Sequence, residues 1–488
     1  MTRKKIFAGV DVGTQGVRMI WVDESGAILY AGSRDFISNE DIRIRQNPEE
    51  WWGLLDEMFM EVRGTLPSSF FNDFVLKTIG VTSTSGTVIP MGENGKVLYG
   101  AIMYSDPRSQ EYGERAAKQA VKYYDGRPGF KGFNSSCGLS KMLWYLDKVN
   151  AKEREKLLRF IHASDYITGR MTGIYDVTDH SNALKSGYDL HRDCWPEYLF
   201  SELDIRPGFL SKVKPMGSKL GKLKDEHIKK WNLPEAPQVY VGLTDGCASQ
   251  FSAGAVSPGE WNTTIGTTLV MKGVSEKSIY DEEGSIYCHR HPSGYWMPGG
   301  ASNIGADWVN EFSAEEVRRG SELKSDLKPA SAFYYPLKMK GERFPFISGD
   351  AEEFVWGEPA DRGELFQAGL EGVAFIERYA YEKIEVLSGS KVKKVFSAGG
   401  GNKNKKWLNI RANILDKPVL VSEKAGGAMG AAMVGASGEV GGGLQGAVDH
   451  LLGSMEIFHP TPVMVAEYER RYQKFIRILK SKGYFNDK

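Results

Sequence analysis

Two short glycine-threonine segments about 250 residues apart constrain this chain more than any other feature: Asp11-Val12-Gly13-Thr14-Gln15-Gly16 and Thr263-Thr264-Ile265-Gly266-Thr267-Thr268. Each lies between apolar, β-branched runs and so predicts a strand, a tight turn and a second strand. Between them stands Gly242-Leu243-Thr244-Asp245-Gly246. Two hairpins able to grip phosphate, with one carboxylate between them, set the frame into which the remaining residues must fit.

The run from Lys5 to Asp11 ends in Gly-Val-Asp and that from Val17 to Val22 is apolar, so the first segment marks a hairpin and not a helix start. Gly13 and Gly16 are expected to take backbone angles closed to other residues and to let peptide N–H groups approach a phosphate, with the Thr14 hydroxyl as a further donor. Gly13, Thr14 and Gln15 are candidate nucleotide contacts. Asp11, leaving the strand beside the turn, is the candidate ligand of a hydrated magnesium ion. Neither GxxxxGKS/T nor GxGxxG follows a strand at the N-terminus, which disfavours P-loop and Rossmann phosphate binding. An ordinary hairpin would read the same in isolation. The second segment changes that: Trp261 to Met271 is entered through Ser257-Pro258-Gly259, bends at Gly266, and carries Thr267 and Thr268 where the first has Thr14. The pair suggests two duplicated lobes facing one nucleotide.

A chain of 488 residues is too long for a single core and should split into two or three domains. Lys+Arg and Asp+Glu both number 62, so the formal net charge is zero and no bulk attraction to nucleic acid or anionic membrane is implied. The apolar stretch after Lys5 meets Asp11 too soon for a signal peptide, and no apolar run approaches bilayer-spanning length. Cys137, Cys194, Cys247 and Cys288 are far apart with no CxxC, as expected of reduced thiols, so the cytoplasm is the expected location.

Strands and helices alternate with frequent glycine, which predicts an α/β architecture. Residues 1 to about 110 read as strand-rich, with a turn at Asp23-Glu24-Ser25-Gly26 and a buried strand over Leu76 to Val81. Residues 138 to 172 read as helical, with Leu139, Met142, Leu143 and Leu146 on one stripe and Lys152 to Lys156 as a solvated face. Lys224 to Lys230 reads as an exposed polar helix before the strand leading to Asp245. The expected boundary near 246 to 256 divides an N-terminal lobe over 1–250 from a C-terminal lobe over 251–488, whose last helices are allowed to pack back on the first.

A third nucleotide element is Phe396-Ser397-Ala398-Gly399-Gly400-Gly401-Asn402, where an apolar strand feeds a glycine run on which a flat adenine ring can lie. The helix that follows has Asn402 or Asn404 as N-cap. Ala425 to Ala432 is a small-residue stretch that permits close helix packing, near the nucleotide or between lobes. Cys288-His289-Arg290-His291 lacks a second ligand pair at zinc-motif spacing and reads as strand and turn.

With these residues in place the chain resembles the FGGY carbohydrate kinases, within the superfamily of actin, hexokinase and the heat-shock chaperone ATPases. The landmarks, spread over nearly the whole chain, are Asp11 to Thr14, Met103 to Arg108, Lys141-Met142-Leu143-Trp144, Asp165 to Gly173, Asp179-His180-Ser181-Asn182-Ala183, Gly242 to Gly246, Gly341-Glu342-Arg343, Glu371-Gly372 and Ala398 to Gly401. The resemblance implies two ribonuclease-H-like lobes with an interlobe active site and ATP-dependent phosphorylation of a sugar or polyol hydroxyl. It makes Asp245 the general base and Asp11 the organiser of magnesium. Thr14, Gly266 and Thr267 become phosphate contacts, and Gly400, Gly401 and Asn404 line the adenosine pocket. Dimers are common in the family.

Thr82-Ser83-Thr84-Ser85-Gly86-Thr87 is similar to a branch of ketopentose kinases with a Thr-Ser-Gly-Thr loop, which favours D-ribulose or D-xylulose over glycerol. Candidate sugar contacts are Thr84, Ser85, Asp106, Arg108 and Asp245, although Asp106 and Arg108 equally suit a structural ion pair. The family's usual tryptophan is Tyr104 here, and Asn409 and Asn413 also depart from its pattern. Kinases of L-ribulose, L-fuculose, glycerol or erythritol are the alternatives, followed by a non-kinase ATPase or a sugar-responsive regulator of the same superfamily.

Overall fold

The computed structural model describes residues 3–37, 41–67, 69–279, 281, 283–323 and 328–485. It divides into two units: Met1–Ser252 with His289–Gly294 and Lys424–Gly453, and Ala253–Cys288 with Tyr295–Glu423 and Ser454–Lys488.

In the first unit the two apolar runs form β1 (Lys4–Val12) and β2 (Gly16–Asp23), paired antiparallel from Ile6 with Asp23 to Val12 with Val17. Asp23 turns the chain, its Oδ1 accepting from Ser25 N–H at 2.9 Å and Ala27 N–H at 3.0 Å, and β3 (Ile28–Asp35) follows on β2. β4 (Phe74–Ser83) lies parallel to β1 and is buried along nearly its whole length. With β5 (Lys219–Lys222), β6 (Gln238–Tyr240) and β7 (Leu243–Thr244) the sheet runs β5-β6-β4-β1-β2-β3, and β7 pairs with the end of β4.

The second unit repeats the plan. β8 (Glu260–Ile265), β9 (Leu269–Gly273) and β10 (Trp296–Ser302) are antiparallel neighbours, and β11 (Lys394–Ala398) lies parallel to β8. β12 (Val419–Val421) is parallel to β11 and β13 (Glu456–Phe458) antiparallel to β12, giving β10-β9-β8-β11-β12-β13. Both sheets carry three antiparallel strands, two parallel strands beside them and an antiparallel edge strand, which precedes its neighbour in the chain in the first unit and follows it in the second, so each unit has the ribonuclease-H-like arrangement.

Helices cover these sheets where their apolar stripes demand it. α1 (Pro48–Thr65) starts at an Asn47 cap and buries Trp51, Leu55, Met58, Phe59 and Val62 in the core of the first sheet. A separate apolar cluster surrounds α2 (Gln110–Tyr124) and α3 (Gly138–Lys148). The continuous helical stretch expected over 138 to 172 is interrupted: strand Arg159–Ile161 pairs with Ile89–Met91 before α4 (Ala163–Thr172) begins. Its apolar Phe160 and Ile161 are buried by tertiary contact, which periodicity over so short a run does not reveal. The helix read as exposed and polar, α5 (Asp225–Trp231), buries His227 and Trp231, and the latter stacks on Phe59 at 3.9 Å.

The expectation put 251–488 in the C-terminal lobe with its last helices allowed to pack back on the first; Lys424–Gly453 groups with the first unit, while Ser454–Lys488 groups with the second. The small-residue stretch explains how. In α8 (Gly427–Ala436), which follows α6 (Arg362–Ser388) and α7 (Lys405–Leu415), the backbone lies directly on β1 and β4. A β-carbon at Gly9 would come within 1.8 Å of Ala428 O, and one at Gly80 within 2.0 Å of Ala431 O. Among the described residues no helix is long and apolar enough to cross a membrane.

Candidate active site

In the first unit Asp11, the last residue but one of β1, is 7% exposed, and its Oδ1 has no hydrogen-bond partner among the described residues. Asp245 begins the helix Asp245–Ala253 directly after β7, is exposed, and accepts the Gly246 N–H at 2.7 Å. Burial, then the charge of Asp245, pushes the Asp11 carboxyl up to about 6, against the opposing pull of Arg18. A buried carboxylate with an unsatisfied oxygen, within the electrostatic reach of a second carboxylate, offers oxygen donors of the kind that suit a hard divalent cation such as magnesium.

The glycine turn is built differently from expectation. Gly13 N–H donates to Gly16 O at 2.9 Å, but neither glycine has a left-handed φ. Gly16 is required by close approach: its β-carbon would stand 2.2 Å from Arg34 O on β3. Thr14 is partly exposed at the tip, with its hydroxyl 3.2 Å from Tyr104 Oη and its carbonyl accepting from Gln46 Nε2 at 2.9 Å. The Gln15 side chain is exposed.

The candidate sugar residues lie in the same unit. Thr84 N–H donates to Val12 O at 3.2 Å, which sets the loop beside the end of β1, and its hydroxyl meets that of Thr87 at 2.8 Å. Ser85 is partly exposed at the turn before Gly86, whose φ of 83° demands glycine. Asp106 is buried and grips Arg108 with both oxygens, Nε at 2.9 and 3.0 Å and Nη2 at 2.6 Å, while the guanidinium lies 4.4 Å over the Trp144 ring. The pair is thus a closed ion pair whose guanidinium edge remains partly exposed.

In the second unit β8 and β9 close around Gly266, whose N–H donates to Thr268 O at 3.1 Å, and Thr267 is exposed at the tip. The glycine run lies beside that turn: Gly399 takes φ 89°, and its β-carbon would stand 2.5 Å from Ile265 O. β-Carbons at Gly266 and Gly400 would meet nothing within 4 Å, so bare backbone faces open space where a phosphate or a flat ring can approach. Gly401 is buried against Ile265. Of the two N-cap candidates it is Asn404 that caps α7, accepting from Trp407 N–H at 2.9 Å while donating to Ser321 Oγ at 3.0 Å. Both its polar ends are therefore engaged within the protein. Beneath the two loops Arg411 and Glu377, 1% and 0% exposed, pair at 2.7 and 2.8 Å. Glu377 also accepts from Thr263 on β8 at 2.6 Å, and Arg411 donates to Ser397 on β11 at 2.5 Å. One buried ion pair fixes both loops.

Three residues gain a place at the site that the sequence did not give them, although Lys141 stood in a family landmark and Gly427 in the small-residue stretch. Arg18 lies cross-strand from Asp11, 3.6 Å from its Oδ2, and hairpin register would have found it. Lys141 is wholly buried, donating to Tyr104 O at 3.4 Å and to Ser135 O, and burial lowers its ammonium to about 8. A lysine inside an otherwise apolar run of α3 was the available signal. Gly427 abuts Asp11, which only tertiary structure discloses.

The chain matches the FGGY family of carbohydrate kinases, N-terminal domain, over residues 6–252 and the C-terminal domain of the same family over residues 261–439. It belongs to that family and is a phosphotransferase acting on a sugar or related alcohol. Its relatives include a gluconokinase from Bacillus licheniformis, 24% identical with 96% of this chain and 94% of the relative covered. A xylulose kinase from Bacillus subtilis is 26% identical, with 97% and 96% covered. The crystal structure of xylulose kinase from Rhodospirillum rubrum superposes with a TM-score of 0.84 at 24% identity, covering 98% of each chain.

Proposed function

We propose that this enzyme transfers the γ-phosphoryl group of ATP to a hydroxyl of a ketopentose, D-xylulose or D-ribulose, with Asp245 as general base. The observation that carries the reading is the carboxylate pair, Asp245 at a helix start and Asp11 buried with an unsatisfied oxygen under its influence. Asp245 accepts the proton of the attacking hydroxyl. A weak base suffices, because the transition state is loose and positioning dominates. Asp11 holds magnesium, which when bound supplies charge neutralisation for the β- and γ-phosphates. The turn N–H groups of Gly13 and Gly266, with Thr14, Gln15 and Thr267, hold phosphate oxygens. Gly400 and Gly401 offer bare backbone to adenosine, and Asn404 shapes that loop by capping α7.

Thr84, Ser85, Asp106 and Arg108 are the proposed sugar contacts. Arg108 meets both oxygens of Asp106, so its charge is already balanced, which favours an uncharged ketose over the carboxylate of gluconate. The similar identities of gluconokinase and xylulose kinase relatives make gluconate the competing acceptor. ADP release from Mg-ATP, measured over D-xylulose, D-ribulose, L-ribulose, L-fuculose, glycerol and gluconate, tests the reading. Selective turnover of a ketopentose supports it, preference for gluconate or glycerol overturns the acceptor class, and turnover indifferent to every acceptor overturns the reaction.

A further inference from the structure

The segment Asp179-His180-Ser181-Asn182-Ala183 has no part in the chemistry above, yet it holds the strand that delivers Asp245. That strand, β7, has only the residues Leu243–Thr244, and buried hydroxyls fix it from both sides. Thr82 donates through its hydroxyl to Leu243 O at 3.0 Å. Opposite, the Thr244 N–H donates to Ser181 Oγ at 2.9 Å. Ser181 donates in turn to Asp179 Oδ1, which also accepts the Ser181 N–H at 2.7 Å and the Asn182 N–H at 3.1 Å. Asp179 Oδ2 accepts from Asn182 Nδ2 at 2.6 Å. Asp179, Ser181 and Asn182 are each 0% exposed, so water does not compete for these bonds.

From this geometry we infer that Ser181, locked by Asp179, is a positioning residue for Asp245, a role that rests on Asp245 being the general base. The carboxylate satisfies the Ser181 hydroxyl proton and leaves a lone pair aimed at the peptide N–H one residue before Asp245. Losing it strands a buried N–H and lets the helix start drift. A shift of about 1 Å at a catalytic group costs on the order of a hundredfold in rate. A neighbouring cluster supplies the control: His162 Nδ1 is 3.0 Å from Asp165 and Nε2 is 2.8 Å from Ser186 Oγ, with all three side chains 2% exposed or less. The Ser186 hydroxyl pairs with His162, and among the described residues it makes no hydrogen bond to Thr244.

The experiment compares Ser181→Ala, Ser186→Ala, Asp245→Asn and the Ser181→Ala/Asp245→Asn double variant in full-length protein, reading kcat, sugar KM and thermal midpoint. The expected result is a kcat loss of about tenfold to a hundredfold in Ser181→Ala, with KM within about threefold. Ser186→Ala loses a comparable thermal midpoint but keeps kcat. In the Asp245→Asn background Ser181→Ala adds no further loss, because it acts through that carboxylate. Equal kcat effects of the two serine variants, or additive losses in the double variant, overturn the positioning role while leaving Asp245 as base. Undiminished turnover in Asp245→Asn overturns the base assignment and this inference together. If Ser181→Ala does not fold, Thr82→Val applies the same test from the other side of β7 with a nearly isosteric side chain, and unchanged kcat there overturns the inference.

Discussion

A β-carbon on Gly427 would stand 2.6 Å from Asp11 Oδ2, so the first residue of α8 is glycine because a carboxylate of β1 occupies the space. Helix and the proposed magnesium carboxylate are packed as one unit, since the same helix rests on Gly9 and Gly80 of the two central strands.

Gly427→Ala is therefore expected to displace the Asp11 carboxylate and weaken apparent magnesium affinity by about tenfold to a hundredfold, the range seen when metal-ligand support is removed. The check is the magnesium dependence of kcat/KM. The fold is expected to survive, because the clash falls on a side-chain end and not on backbone.

Asp11 predicts a pH dependence whose sign is fixed. Its carboxyl is raised from 3.8 to about 6, first by burial and then by Asp245. The folded state thus holds the proton more tightly than the unfolded one, so this group's contribution to stability is full below 3.8 and is lost as pH rises through about 6. Without nucleotide, Asp11→Asn should be more stable than wild type near pH 8, the gap closing as pH falls through about 6. Activity moves the opposite way if, as proposed, the ionised form holds magnesium: at limiting magnesium kcat/KM should fall as pH drops through about 6 and recover partly with excess magnesium. Denaturant unfolding and pH–rate profiles at two magnesium concentrations check both halves.

Much of this site was legible in the chain because hairpins are local events. Glycines between β-branched runs gave both turns, and Asp11 stands at the end of one apolar run while Asp245 directly follows another. The reason for the glycines was not legible: Gly16 answers to Arg34 on a neighbouring strand and Gly427 to Asp11, more than 400 positions away in sequence. Lys424–Gly453 likewise joins the first unit through contacts that no local pattern announces. Burial of Lys141 and of the short strand Arg159–Ile161 is also a tertiary outcome that overrides charge and periodicity.

In the second unit the Arg411–Glu377 pair is buried and tied to Thr263 and Ser397. Arg411→Met leaves Glu377 as an uncompensated buried carboxylate and is expected to destabilise the protein by about 3–5 kcal/mol. Denaturant unfolding gives the magnitude. ATP KM should rise more than sugar KM, since both loops held by the pair are proposed nucleotide contacts.

Asp106→Asn should alter acceptor choice. With the anion removed, Arg108, a proposed sugar contact, is left with excess positive charge, so kcat/KM for gluconate relative to D-xylulose should rise on the order of tenfold. An unchanged ratio places the pair in a structural role only.

The most direct test of the account is phosphoryl transfer to the best ketopentose acceptor by wild type and Asp245→Asn at saturating Mg-ATP. The account predicts a kcat loss of about 10²–10⁴ with ATP binding preserved, as expected when a general base is removed without disturbing nucleotide contacts. Turnover within a few-fold of wild type in Asp245→Asn would contradict it.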